Sequence, residues 1–339
     1  MKYGPWLERL EALAVGREVV ATGGLRDAQG VTTARAHVVP LSLLDDKGTA
    51  WSIETEDAVR ALAFAGDALL LTGSDDGRVI AWDVTGQRPL VAIGLKAPVR
   101  AIAIDSAVAR GDAGKIAVGT LDGTLHVLDF AVQGGTPKLT PALQHALSDG
   151  AIFAAAFDPS GLLLAGGADG QLYIVQGSTG RTVSPGGDGG IRALACIGDG
   201  RAAVGCGDGS LRLCFIVGDV EAQDRSGDHG HLGALRSLAL GPVVTDDAGR
   251  EQPRRIFSAG EDGVVKSWFV DGARRPKTID VSIGPLTAIA FQSGAPVMVD
   301  KRPAVGRLWC ASTARKLAAL VLGPDVEPFG AAVTFGSQL

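Results

Sequence analysis

VRALAF at Val59–Phe64 and, after a short turn, LLLTGSDDGRVIAWDV at Leu69–Val84 decide the fold. Val59–Phe64 alternates apolar with small or polar residues and reads as a strand. Ala65-Gly66-Asp67 turns the chain, and Ala68–Thr72 is a second strand. Ser74-Asp75-Asp76-Gly77 is a hairpin turn, because Asp-Gly suits the positive φ angles such turns demand. Arg78–Val84 is a third strand, Thr85-Gly86-Gln87 turns again, and Pro89–Ile93 is a fourth. Four antiparallel strands in about 40 residues make one blade of a propeller.

The same phrase recurs as LEALAV at Leu10–Val15, VRAIAI at Val99–Ile104, IFAAAF at Ile152–Phe157, IRALAC at Ile191–Cys196, LRSLAL at Leu235–Leu240 and LTAIAF at Leu286–Phe291. The spacing of roughly 40 to 50 residues is that of propeller blades. An Asp-Gly turn follows five copies, at Asp76-Gly77, Asp122-Gly123, Asp169-Gly170, Asp208-Gly209 and Asp262-Gly263. The first repeat instead turns through the longer stretch 23–30, and in the last Asp300-Lys301-Arg302-Pro303 replaces the Asp-Gly turn ahead of Arg307-Leu308-Trp309-Cys310. Terminal repeats are commonly atypical. The expected fold is all-β: a β-propeller of four-stranded antiparallel blades, seven in number, filling 1–339 as a single domain. Its repeats lie at about 10–55, 58–94, 98–140, 150–184, 190–222, 232–281 and 285–322, with 323–339 as a terminal segment. Two places stay open. FGAAVTF at Phe329–Phe335 resembles the start of another copy, so it reads as an eighth inner strand, as an extra strand closing the ring, or as the stump of a longer chain. WLERLEAL at Trp6–Leu13 also fits helical spacing.

These repeats resemble the WD40 family. Trp82-Asp83 ends its strand where that family places its namesake dipeptide, Leu128-Asp129 keeps only the Asp, and Gly230-His231 looks like the family's Gly-His pair. The resemblance covers roughly residues 10 to 322. It implies a buried hydrogen-bond network of His231, Ser258, Asp262 and Trp268 in the sixth repeat. Thr72, Asp76 and Trp82 keep part of it in the second, and Asp122, Asp169 and Asp208 stand for it elsewhere. A buried carboxylate needs such donors. The set His231–Asp262–Ser258 invites a hydrolase-triad reading, but Ser258 sits mid-strand at a repeated position, and a structural role is preferred.

Composition bounds the function. The chain has 339 residues, 46% of them hydrophobic, and a net charge of −5. That charge argues weakly against general nucleic-acid binding, which needs a basic surface, and 5% aromatic residues give few stacking platforms. The opening Met-Lys-Tyr-Gly-Pro-Trp does not read as a secretory signal, and no charge-free apolar run of about 18 residues suggests a membrane span. Cys196, Cys206, Cys214 and Cys310 form no Cys-x-x-Cys pair and read as buried apolar thiols, consistent with a cytoplasmic setting. His37, His126, His145, His229 and His231 make no metal motif; only Asp228-His-Gly-His hints at one. No metal, cofactor or catalytic residue is expected. The Ala- and Gly-rich texture is closer to bacterial members of the family.

The expected function is therefore a non-catalytic scaffold binding protein or peptide partners through its face loops, with no nucleic acid and no membrane. The alternatives are a propeller module of a larger regulatory or signalling protein, and a channel-site ligand binder or enzyme. Two long insertions share one face: Ser106–Lys115, carrying Arg110 and Lys115, and Gly241–Arg255. With the turn Asp271–Lys277 the second gathers Arg254, Arg255, Arg274, Arg275 and Lys277, which suit an acidic peptide, a carboxylate cluster or a phosphate. The competing reading is a solvated patch balanced by Asp246, Asp247 and Glu251. A second candidate is a cationic collar at one channel mouth, from Arg60, Arg100, Arg192 and Arg236 at matching positions; its competitor is local pairing with carboxylates.

Overall fold

In the computed structural model of the chain the described residues are 9–17, 19–28, 31–40, 51–217, 222–245, 251, 254–272, 274–293, 298–299 and 302–336. Gln29, Gly30, Asp246, Asp247, Asp300, Lys301 and residues 6–8 of the Trp6–Leu13 stretch lie outside them. The alternating phrases form strands and the Asp-Gly turns form hairpins, with Gly77 at φ +77°. Seven four-stranded antiparallel sheets follow in chain order, spanning 9–55, 59–94, 99–146, 152–183, 191–224, 235–280 and 286–336. The inner strand of each packs beside the inner strands of the blades before and after it, and the first packs beside the last. The protein is a seven-bladed all-β propeller.

Two terminal readings are settled. Arg9–Val15 is the inner strand of the first blade, so the helical option fails over residues 9–13. Pro328–Gly336 is the outer strand of blade seven, so Phe329–Phe335 is not the inner strand of an eighth blade. The seventh repeat accordingly runs past 322, and Arg307–Cys310 lies on its second strand, Gly306–Ser312, rather than its third. Arg302-Pro303 lies not in the hairpin between second and third strands but in the connection between first and second, where it pairs with Met298–Val299. The true second hairpin is Thr313-Ala314-Arg315, which has no Asp-Gly to announce it.

Burial lies between blades. Seven apolar clusters line the seven blade boundaries, from Val59 and Trp82 between blades one and two to Leu10, Trp309 and Leu317 between seven and one. One contact repeats. The first apolar residue of each inner strand (Leu10, Val59, Val99, Ile152, Ile191, Leu235, Leu286) is at most 1% exposed. It faces the second strand of the preceding blade where that strand carries Gly23, Gly73, Gly119, Gly166 or Gly205, and the aligned residues in the two other blades are Ala259 and Ala311. A Cβ on Gly119 would stand 2.6 Å from Ile152 Cγ2 and 3.0 Å from the Ile152 carbonyl oxygen. That φ is ordinary, so the constraint is space. We expect Gly119→Ala to cost about 1–3 kcal/mol in urea unfolding through overpacking; a neutral result would show that the blades can separate without penalty.

Candidate interaction face at the channel mouth

Every inner strand carries a β-bulge at the residue after its first apolar one. The register jumps from Leu10 to Ala12, Val59 to Ala61, Val99 to Ala101, Ile152 to Ala154, Ile191 to Ala193, Leu235 to Ser237 and Leu286 to Ala288. A bulge leaves one residue unpaired and re-aims its side chain. The re-aimed residues are Glu11, Arg60, Arg100, Phe153, Arg192, Arg236 and Thr287. All seven line one cavity of about 710 Å³ at the end of the channel. The four collar arginines are thus brought together. Glu11, Phe153 and Thr287 complete the ring. They occupy the same second position of the repeated phrase, which is the signal that would have found them. Below the collar the channel wall is apolar: a layer of small side chains, Ala12, Ala61, Ala101, Ala154, Ala193 and Ala288 with Ser237, is followed by Leu13, Leu62, Ile102, Ala155, Leu194 and Leu238.

The charges around the ring are uneven. Asp75, in the second hairpin of blade two, accepts from Arg60 Nε at 2.9 Å and from Arg100 Nη1; Glu11 lies 3.7 Å from Arg60 Nη1. Glu261, at the matching hairpin position in blade six, accepts from Arg236 Nε at 2.8 Å. Arg192 differs: its Nε donates to the Gly189 carbonyl at 3.1 Å and its guanidinium stands 4.3 Å from the Phe153 ring centroid. No carboxylate among the described residues bonds it. Burial, and then the neighbouring Arg236, hold the Arg192 guanidinium below its ordinary range; burial and then Arg60 do the same to Arg100. Two apolar side chains share this face of the disc, Leu121 in a second hairpin (43% exposed) and Leu232 in the approach to blade six (97% exposed).

The opposite face holds the loop arginines, and there the pairing is internal. Arg255, 8% exposed, bonds Glu327 of blade seven through Nη2 at 2.6 Å and Ser267 Oγ at 3.1 Å, and stacks on Phe269 at 3.9 Å. Lys277 bonds the same Glu327 at 2.8 Å. Arg254 donates to the carbonyls of Gly241 and, in blade five, Ile197, both at 2.9 Å. Arg274 is exposed and lies 5.0 Å from the Phe269 ring centroid; Arg275 is exposed. Of the expected counter-charges, Glu251 is exposed, and Asp246 and Asp247 lie outside the described residues. Arg255 and Lys277 strap blade six to blade seven through Glu327. The blade-three insertion does not join them. Two blades intervene, and it docks on blade two, with Val108 buried and its carbonyl accepting from Gly66 N at 3.1 Å. A short helix, Ser106–Ala109, capped by Asp105, starts it; Arg110 pairs with Asp112 at 3.4 Å and Lys115 with Asp129.

The residues implied by the family resemblance form a closed chain of bonds. His231 Nδ1 lies 2.9 Å from Asp262 Oδ1, and Nε2 lies 2.7 Å from Ser258 Oγ, which accepts from Trp268 Nε1 at 2.8 Å. Asp262 fixes the tautomer: Nδ1–H donates to the carboxylate, so Nε2 accepts from the Ser258 hydroxyl. Both ring nitrogens are occupied, leaving none for a metal, and Ser258 is fully buried. Burial pushes the His231 pKa down, more than Asp262 raises it. For Asp262 burial acts upward, but bonds from His231 and the Leu232 N–H outweigh it and the carboxyl sits below its ordinary value. In blade two Trp82 Nε1 donates to Thr72 Oγ1 at 2.9 Å, while Asp76 accepts from Arg78 N at 2.8 Å. Asp122, Asp169 and Asp208 accept the N–H groups of Thr124, Gln171 and Ser210 at 3.2, 3.1 and 2.9 Å, each closing its hairpin.

A family model, "WD domain, G-beta repeat", matches residues 50–83, which take in the outer strand of blade one and the first three strands of blade two. One repeat of the propeller therefore matches the WD40 repeat. Solved structures share the fold of this propeller at low identity. Sqt1 from Chaetomium thermophilum, bound to the N-terminus of the ribosomal protein L10, aligns with a TM-score of 0.68 at 15% identity over 97% of this chain and 88% of that one. The WD40 β-propeller domain of Doa1 gives 0.66 at 16% over 94% of each chain. A chain of the mitotic checkpoint complex gives 0.69 at 18% over 95% and 91%. No curated protein matches the propeller in sequence.

Proposed function

We propose that the protein is a non-catalytic interaction platform that receives a segment of a partner protein on the face bearing the collar. The observation that carries this reading is the bulge-built ring, which turns four arginines and a phenylalanine into one cavity of about 710 Å³. Rigid scaffolds with polar groups converging on a concavity favour binding there. Leu121 and Leu232 add apolar contact at the rim, where an exposed Leu on a fixed backbone loses little entropy on binding. The capture of a protein N-terminus by Sqt1, a propeller of the same fold, supports the mode of binding and says nothing of this partner's identity. The role of an enzyme finds no support in the tetrad, whose Ser and His are sealed from solvent.

The test is affinity capture from native lysate by three forms side by side: wild type, Arg192→Glu, and the double variant Arg274→Glu/Arg275→Glu on the opposite face. We expect the first substitution to weaken capture of the principal partner at least about tenfold, and the double variant to match wild type. Loss only in the double variant would move the site to the blade-six loops; retention in both would exclude both sites. Thermal unfolding of each form controls for folding.

A further inference from the structure

The collar splits into two arginine pairs that differ in what balances them. Arg60 and Arg100 share Asp75, and Glu11 adds a second carboxylate at 3.7 Å from Arg60. Arg192 and Arg236 have one carboxylate between them, Glu261, and it is bonded to Arg236. Phe153 stands between the pairs in the ring order and offers its face to Arg192. The second hairpins of blades three, four and five present Leu121, Ala168 and Gly207 where blades two and six present Asp75 and Glu261. One side of the mouth is thus charge-balanced from within, and the other keeps a guanidinium whose bonds, at 3.1 and 4.3 Å, go to a carbonyl and an aromatic ring. A guanidinium is a planar fork suited to carboxylate, and one held on an aromatic face is already oriented.

Resting on the platform reading above, we infer that the Arg192–Phe153 corner is the specificity subsite of this mouth and takes the side-chain carboxylate of a single acidic residue in an extended partner segment. The carboxylate bonds Arg192 and lies beside Arg236, supplying the second negative charge that this pair lacks. Residues flanking it meet apolar surface: the Ala layer of the channel wall beneath, and Leu121 and Leu232 at the rim. The favoured segment therefore alternates apolar residues around one Asp or Glu. A strongly acidic tract is disfavoured, because Glu11 and Asp75 repel further carboxylates on the other side of the ring and Glu261 repels them beside Arg236.

The probes are three blocked pentapeptides with leucines flanking a central Glu, Gln or phosphoserine, titrated into full-length protein whose arginine side chains are labelled with ¹⁵N. The readout is the Arg192 Nε–H resonance, assigned with Arg192→Gln. We expect the Glu peptide to shift this resonance saturably and the Gln peptide to bind about tenfold more weakly or worse, the scale of a lost charge-assisted bond. Phe153→Leu, which keeps the cavity filled, should weaken the Glu peptide and leave the Gln peptide unchanged. Equal binding of Glu and Gln peptides, no shift with any peptide, or tighter binding of phosphoserine than Glu would each overturn the inference. In the first two cases a capture defect of Arg192→Glu in lysate would still uphold the platform at this face, so the two readings fail separately.

Discussion

Trp309→Ala should destabilise the propeller by about 3–5 kcal/mol in equilibrium unfolding. The ring closes without exchange of a strand: blade one is built wholly from 9–55 and blade seven wholly from 286–336. What joins them is packing and a few bonds. Trp309, 2% exposed, fills the boundary with Leu10, Val20 and Leu317. Its Nε1 donates to Gln292 Oε1 at 3.0 Å, and Gln292 Nε2 donates onward to the carbonyls of Gly16 and Arg17 in blade one at 2.9 and 3.1 Å. Thr287 adds a bond from Oγ1 to the Leu10 carbonyl at 2.8 Å. Truncation removes the indole volume and leaves the Gln292 carbonyl oxygen without this donor. Hydrogen exchange should rise first in strands Arg9–Val15 and Leu286–Ser293. A cost below about 1 kcal/mol, outside the range for a buried Trp, would mean that closure rests elsewhere.

Ser258→Ala should cost about 2–5 kcal/mol, because it orphans two buried groups at once, each worth about 1–3 kcal/mol. The Trp268 N–H loses its acceptor and His231 Nε2 loses its donor. The network also sets a pH dependence. His231 titrates in the folded protein below its unfolded value of about 6.5, so below that pH the unfolded chain binds more protons. Its contribution is complete above the unfolded pKa and declines as pH falls. Asp262, also depressed, extends the loss to lower pH, beginning near the unfolded carboxyl value of about 3.9. His126, lowered by burial, acts in the same direction as His231. Between pH 7 and 5 wild-type stability should fall, and His231→Asn, though less stable throughout, should show a shallower slope. An unchanged slope would contradict a neutral, buried His231.

The repeated hairpins were legible because five blades restate the same local chemistry: an alternating strand, then Asp-Gly where φ must be positive. Blade seven was misread by one strand, since Thr313-Ala314-Arg315 makes its hairpin with Arg315 at φ +63° in place of glycine. Phe329–Phe335 misled for a related reason: alternation marks a strand, and inner and outer strands both alternate. The four collar arginines were visible as a repeated position. Their carboxylates were not, because Asp75 and Glu261 lie some 15 to 25 residues away, on the neighbouring strand's hairpin. The blade-six patch looked uniform in sequence, yet its charges divide: Arg255 and Lys277 are tied to Glu327, which is 50 residues beyond Lys277 and reaches them only through blade packing.

Hydrogen–deuterium exchange on the complex with the captured partner tests the face assignment most directly. Slowed exchange is expected in the second hairpins around Asp75, Leu121 and Glu261 and in the approach to blade six around Leu232, with no change in Asp271–Lys277 or the blade-three insertion. Protection of those loops, with the hairpins unchanged, would place the partner on the opposite face and contradict the assignment of the collar as the binding site.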